Sequence, residues 1–109
     1  MEYKVKTTDE FDAWLAALGE KDVRAQSKVI NALNRAEEGN FGDHHAVGKG
    51  VSEMRLHYGP GYRVYYTIRK RIVVVVLAGG TKKTQDSDLK QVYAMLEEDD
   101  NARWRKSWL

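Results

Sequence analysis

The run Ile72-Val73-Val74-Val75-Val76-Leu77-Ala78 constrains this chain more than any other stretch. Consecutive β-branched residues favour extended backbone, and a strand with no polar alternation must be covered on both faces for part of its length. It therefore belongs in the middle of a sheet. Gly79-Gly80 is expected to end it.

The segments before it alternate as half-buried strands do. Met54, Leu56 and Tyr58 share one face of a strand over 51–58, with Glu53, Arg55 and His57 on the other. After the turn Gly59-Pro60-Gly61, Tyr62, Val64, Tyr66 and Ile68 alternate with Arg63, Tyr65 and Thr67. The basic turn Arg69-Lys70-Arg71 then leads into the apolar run. Near the N-terminus, Tyr3 and Val5 mark a short first strand over residues 2–6. Residues 40–50 carry glycines without a clear period and read as a loop.

Helical spacing occupies the remainder. Thr8 or Asp9 can cap a first helix whose Phe11, Trp14, Leu15 and Leu18 recur at three- and four-residue intervals up to Gly19. A second helix is expected from about Asp22 to Glu38, with a stripe of Val23, Ile30, Leu33 and Ala36 or Glu37, and with Gly39 placed to end it in a left-handed conformation. The join is short enough to force a hairpin. Asp86 can cap a last helix carrying Leu89, Val92, Tyr93 and Leu96. The tail holding Trp104, Arg105, Lys106 and Trp108 either extends that helix onto the core or offers a partner surface.

The order β-α-α-β-β-β-α gives an α+β fold: an N-terminal helical hairpin on a small, mostly antiparallel four-stranded sheet, with a C-terminal helix. At 109 residues and 42% hydrophobic content, residues 1–109 form a single domain. The charged, alternating N-terminus carries no secretory pattern and no apolar run reaches membrane-spanning length, so a cytoplasmic protein without a membrane partner is expected. With no cysteine, disulfides, thiolate nucleophiles and cysteine-based metal sites are excluded. The net charge is only +2, but Arg55, Arg63, Arg69-Lys70-Arg71 and Lys82-Lys83 concentrate basic charge in the middle of the chain, where a polyanion can be attracted.

From Gly50 to Asp88 the sequence carries a Glu-x-Arg strand, a Gly-Pro-Gly-Tyr-Arg turn into a tyrosine-rich strand, an all-apolar strand, and then Gly-Gly-x-Lys-Lys-x-Gln-Asp. In that order and spacing it resembles the HigB-like "addiction module killer" branch of the RelE/ParE superfamily, over nearly the whole chain. The resemblance implies a toxin neutralised by a cognate antitoxin, which once released enters the ribosome and cleaves mRNA. Operator DNA is then met only through the antitoxin complex. It also implies a compact sheet with two N-terminal helices.

Cleavage by attack of a ribose 2′-OH on the adjacent phosphorus develops negative charge on phosphate oxygens, which fixed cations stabilise. Arg55 and Arg63 lie opposite the apolar faces of strands joined by a short turn, so they are the first candidates; a solvated face bearing Glu53 and Arg55 is the plain alternative. One of Lys82 and Lys83 matches a basic position of the family. His57 can act as general acid or base, or simply hold a turn. Tyr65 can stack on a base or orient a phosphate, Arg69, Lys70 and Arg71 can bind RNA phosphates, and Gln85 can add a polar contact. His44 and His45 are weaker candidates, being adjacent with no carboxylate at ligand spacing; no metal and no cofactor are expected. A ParE-like inhibitor of DNA gyrase shares the implied fold, and a non-catalytic module in an antitoxin–operator complex would use the same basic face.

Overall fold

The computed structural model describes residues 2–97; Trp104 and Trp108 of the tail lie outside them. The elements are β1 (Lys4–Thr7), α1 (Asp9–Lys21), α2 (Val23–Glu37), β2 (His44–Gly48), β3 (Val51–Leu56), β4 (Tyr62–Arg69), β5 (Val73–Thr81), a 3-10 turn (Lys82–Thr84) and α3 (Gln85–Glu97). The architecture is α+β, with a sheet of order β1-β5-β4-β3-β2. β1 runs parallel to β5 and every other neighbouring pair is antiparallel. The sheet has five strands where four were expected. The added one is β2, inside the segment read as a loop.

As its composition requires, β5 lies inside the sheet with Val73 through Ala78 buried. On one face Val74, Val76, Val64, Tyr62, Tyr66 and Met54 pack with Phe11, Leu18, Ala25 and Val29 of α1 and α2. On the other, Val73, Val75, Leu77, Ala78, Val51 and Tyr65 pack with Val92 and Met95 of α3. Helices thus cover both faces, giving three layers.

Thr8 is the N-cap of α1, its hydroxyl accepting from the Phe11 N–H. The same hydroxyl donates to the Leu77 carbonyl at 2.7 Å. Leu77 is the extra residue of a β-bulge: Tyr65 pairs with Ala78 and Tyr66 with Val76, leaving Leu77 without a partner across the ladder. The bulge puts the consecutive residues Leu77 and Ala78 on the α3 face together.

Several boundaries move from the sequence expectation. α1 continues past Gly19 to Lys21, and Asp22 both closes it and caps α2 by accepting from Ala25 N–H. The buried stripe of α2 is Ala25, Val29, Ala32 and Ala36, whereas Val23 and Ile30 face outward; the small alanines let the helix approach the sheet closely. Gly39 has φ 90° and ends α2 as expected. β5 does not stop at Gly79-Gly80 but runs through them to Thr81. A Cβ on Gly79 would strike Trp14 of α1, and one on Gly80 would strike Asp88 of α3, so the glycines admit helices rather than end a strand. Asp86 sits in the first turn of α3 instead of capping it. No helix among the described residues is long and apolar enough to cross a membrane.

Candidate active site

The α3 face of the sheet is apolar at one end and polar at the other. At the polar end, Arg55 and Arg63 are direct register partners, as are Glu53 and Tyr65. Beyond Arg63 the next strand presents Gly80, which has no side chain. On the other side β2 places His45 opposite Glu53. Period-two alternation on three antiparallel strands thereby gathers these groups on one surface.

Glu53 is the centre of the cluster. Its side chain is 1% exposed, and a carboxylate so buried is tolerated only where donors surround it. His45 Nε2 lies 2.9 Å from Glu53 Oε1. Gln85 Nε2 donates to Oε2 at 2.9 Å. Arg63 Nη1 donates to Oε1 at 3.4 Å. The solvated face considered for Glu53 in the sequence is therefore replaced by a buried one.

Arg55 joins this cluster to a second pair. Its Nη2 donates to His45 Nδ1 at 2.7 Å, and because a guanidinium can only donate, that nitrogen accepts and the His45 proton sits on Nε2, directed at Glu53. Arg55 Nε lies 3.7 Å from Asp43 Oδ2. His57 Nε2 in turn lies 2.6 Å from the same oxygen. The hydrogen bond from His57, with the charge of Arg55 behind it, holds the Asp43 carboxyl below its usual value of 3.8 against the opposing effect of desolvation. One array therefore runs from His57 through Asp43, Arg55 and His45 to Glu53, where Arg63 and Gln85 meet it. Arg55 Nε and Arg63 Nε are buried without a hydrogen-bond partner among the described residues, Arg55 Nε lying between the carboxylates of Asp43 and Glu53.

The expected site residues divide by position. Arg55, Arg63 and Gln85 are brought together, and His57 is joined to them through Asp43. Lys82 and Lys83 are exposed in the 3-10 turn after β5, where the Lys82 N–H donates to the Gly61 carbonyl at 2.8 Å. That places them beside the β3–β4 turn, at the same end of the sheet as Arg63.

Tyr65 needs correction as a residue that stacks on a base or orients a phosphate: it is fully buried in the α3 layer, with neither its ring face nor its hydroxyl exposed. Burial first, and the charge of Glu53 second, push its phenol well above the usual range, so the hydroxyl stays protonated. Arg69, Lys70 and Arg71 form the turn at the far end of β4. At about 3.3 Å per residue, Arg69 lies roughly 20 Å along the strand from Arg63 and outside the cluster.

Of the remaining members of the cluster, the sequence does not single out Asp43, offers His45 only as a weak candidate and offers Glu53 only as part of a solvated face. Their signal was the hairpin His44–Gly48, Lys49-Gly50, Val51–Leu56, in which a glycine-bearing turn separates two extended segments. His44, by contrast, turns away, its Nδ1 2.8 Å from the Gly42 carbonyl. Among the described residues no three or more His, Asp or Glu side chains converge as metal ligands would.

Residues 13–97 match the family "Phage derived protein Gp49-like (DUF891)". An uncharacterized protein of Haemophilus influenzae (strain ATCC 51907 / DSM 11121 / KW20 / Rd) is 42% identical over 98 residues, covering 90% of this chain and 97% of that one. Among solved structures, a mutant of the E. coli toxin RelE in the free state superposes with a TM-score of 0.63 at 19% identity, over 100% of both chains. The chain belongs to the phage-derived Gp49-like family and has the fold of the RelE/ParE-type superfamily.

Proposed function

We propose that this protein is the toxin of a toxin–antitoxin pair and that it cleaves mRNA on the ribosome, as the HigB-like resemblance implies. The observation that carries the reading is the position of Arg55, which bridges the exposed His57–Asp43 pair and the buried Glu53 cluster. An accessible guanidinium beside an oriented imidazole is what intramolecular RNA cleavage requires.

In this reading the ribose 2′-oxygen attacks the adjacent phosphorus while the P–O5′ bond breaks. With its Nε2 proton directed at Asp43, His57 presents Nδ1 to take the proton from the 2′-OH and later return it to the leaving oxygen. Arg55, at 35% side-chain exposure, meets the phosphate and stabilises the added negative charge. Arg63, at 10%, acts mainly from beneath by fixing Glu53 and through it His45. Lys82 and Lys83 guide the RNA backbone, and Arg69, Lys70 and Arg71 contact phosphates or the ribosome away from the cut. Gln85 holds Glu53 in place. The array uses no cofactor and no metal. The cognate antitoxin would silence the protein by covering this surface, with operator DNA reached only through that complex.

The test is mapping of RNA 5′ ends in translating extracts supplied with wild-type protein or Arg55→Ala. New cuts in translated messages with wild type alone support the reading. Intact messages with both proteins sink it; DNA damage on expression in cells would then point to gyrase, and unharmed growth to a module that only binds.

A further inference from the structure

α2 turns mostly alanines toward the sheet. At Ala32 the missing bulk leaves a cavity of about 370 Å³ between that helix and the end of β3, at the lower end of the ~300–1,000 Å³ typical of small-ligand pockets. Ala32, Met54 and Leu56 give it an apolar floor, and Phe41 and Tyr58 an aromatic wall. Lys28 and Arg35 of α2 stand on one rim and Arg55 and His57 on the other, against the single carboxylate of Asp43. Lys28 Nζ is held 5.0 Å from the centre of the Tyr58 ring. Asn31 and Asn40 contribute amides, which both donate and accept.

These features match the parts of one nucleotide. The apolar floor takes the face of a base, closed at the side by Phe41, which stacks on Tyr66, and by Tyr58, over which Lys28 lies; amides read its edge, and cations take its phosphate. An apolar metabolite would not call for the cationic rim, and a bare phosphate would not call for the floor.

The cavity also communicates with the candidate active site. The β2–β3 ladder ends at the pair His44–Met54, after which Arg55 N–H reaches the Asp43 carbonyl at 2.8 Å. Past that bond Leu56 and His57 form an open margin of the sheet. Around this margin the α2 side and the α3 side meet, and Arg55 and His57 belong to both.

We infer that the cavity binds a single RNA nucleotide, the one flanking the phosphate at Arg55. Its place beside the cut rests on the nuclease reading; nucleotide binding itself does not. The cavity then selects which base stands next to the cleaved bond.

The test titrates the isotopically labelled full chain with AMP, GMP, CMP and UMP, with inorganic phosphate and adenosine as separate arms. Saturable shifts of the Asn31, Arg35, Phe41 and Leu56 amides are expected with at least one mononucleotide, tighter than with phosphate or adenosine. Arg35→Ala should weaken that binding about tenfold, the loss of one charge-assisted contact, and Ala32→Leu, which fills the cavity, should abolish it. If Ala32→Leu does not fold, the exposed pair Asn31→Ala and Arg35→Ala carries the test. No shifts at these residues, equal affinity for phosphate and every mononucleotide, or unchanged binding in the variants overturns the inference. RNA cleavage by wild type with the same base preference in Asn31→Ala, which removes an amide that reads the base edge, defeats this inference alone. Mononucleotide binding in the cavity without any RNA cleavage defeats the nuclease reading alone.

Discussion

Arg55 and Arg63 stand opposite one another in the β3–β4 ladder, yet their side chains are 35% and 10% exposed. Two like charges in direct register would repel. Here Glu53 and His45 divide them: Arg63 is drawn down to Glu53, and Arg55 outward toward His45 and Asp43.

The two arginines should therefore fail differently. Arg55→Ala is expected to lower cleavage by about 100- to 1,000-fold, the effect of removing one group that stabilises developing charge, while changing stability by under about 1 kcal/mol. Arg63→Ala should lose activity and also about 1–3 kcal/mol of stability, because it strips a donor from a buried carboxylate. Urea melts beside cleavage assays separate the two; equal stability of both variants would show that Arg63 is not a support.

Tyr65→Phe removes a buried hydroxyl that has no hydrogen-bond partner among the described residues. Stability should rise by about 1 kcal/mol, since the desolvated polar group is gone and the ring packing stays. With no ring face available to a base, cleavage should remain within about threefold of wild type. A fall in the melting midpoint would mean that the hydroxyl is satisfied in solution.

The Asp43–His57 pair predicts an acid-sensitive contribution. The folded carboxyl is held below its unfolded value of 3.8, so its stabilisation is fully present above that pH and is lost as pH falls through the lower folded value. Wild type should therefore lose stability relative to Asp43→Asn across a window beginning near pH 3.8 and extending below it. Parallel melting curves for the two proteins from pH 5 to pH 3 would contradict the assignment.

Lys70 and Arg71 hold φ of 53° and 70° in the turn between β4 and β5. Left-handed backbone costs an ordinary residue about 1–2 kcal/mol, and Asn-Gly is the pair that fits such turns. Lys70→Asn with Arg71→Gly should raise stability by about 1 kcal/mol or more. If both cations meet RNA phosphates, the slope of log affinity against log salt should flatten by about 1.4, or roughly 0.7 for each. An unaltered slope would remove this turn from RNA binding.

The layers of the fold were readable because periodicity reports burial directly. The Phe11, Trp14, Leu15 and Leu18 spacing gave α1, and the uninterrupted valines gave a strand covered twice. β2 was obscured by its composition: His44, His45 and Gly48 carry little apolar signal, and only Val47 packs against the α3 layer. Losing β2 also hid the centre of the site, since His45 gains meaning only when placed opposite Glu53. Arg55 and Arg63 could be brought together from alternation and a short turn, but their unequal depth depends on which face α3 covers, and no local pattern encodes that. The Gly79-Gly80 pair misled for a related reason, because its lack of side chains makes room for Trp14, far away in sequence, and for Asp88 in the helix that follows.

The bulge at Leu77 has a consequence for how this protein can change over generations. It reverses the parity of β5, so that Gly79 faces Trp14 and Gly80 faces Asp88. Inserting one residue between the bulge and Gly79 would exchange the two clearances and drive side chains into the helical layers, whereas deleting Leu77 would leave Tyr65 opposite Ala78 and Tyr66 opposite Val76 in a regular ladder, keep both glycines on their faces and take away the carbonyl that Thr8 reaches. The length of this strand beyond the bulge is thus a shared inheritance of both helical layers, which can lose the extra residue but cannot take in another.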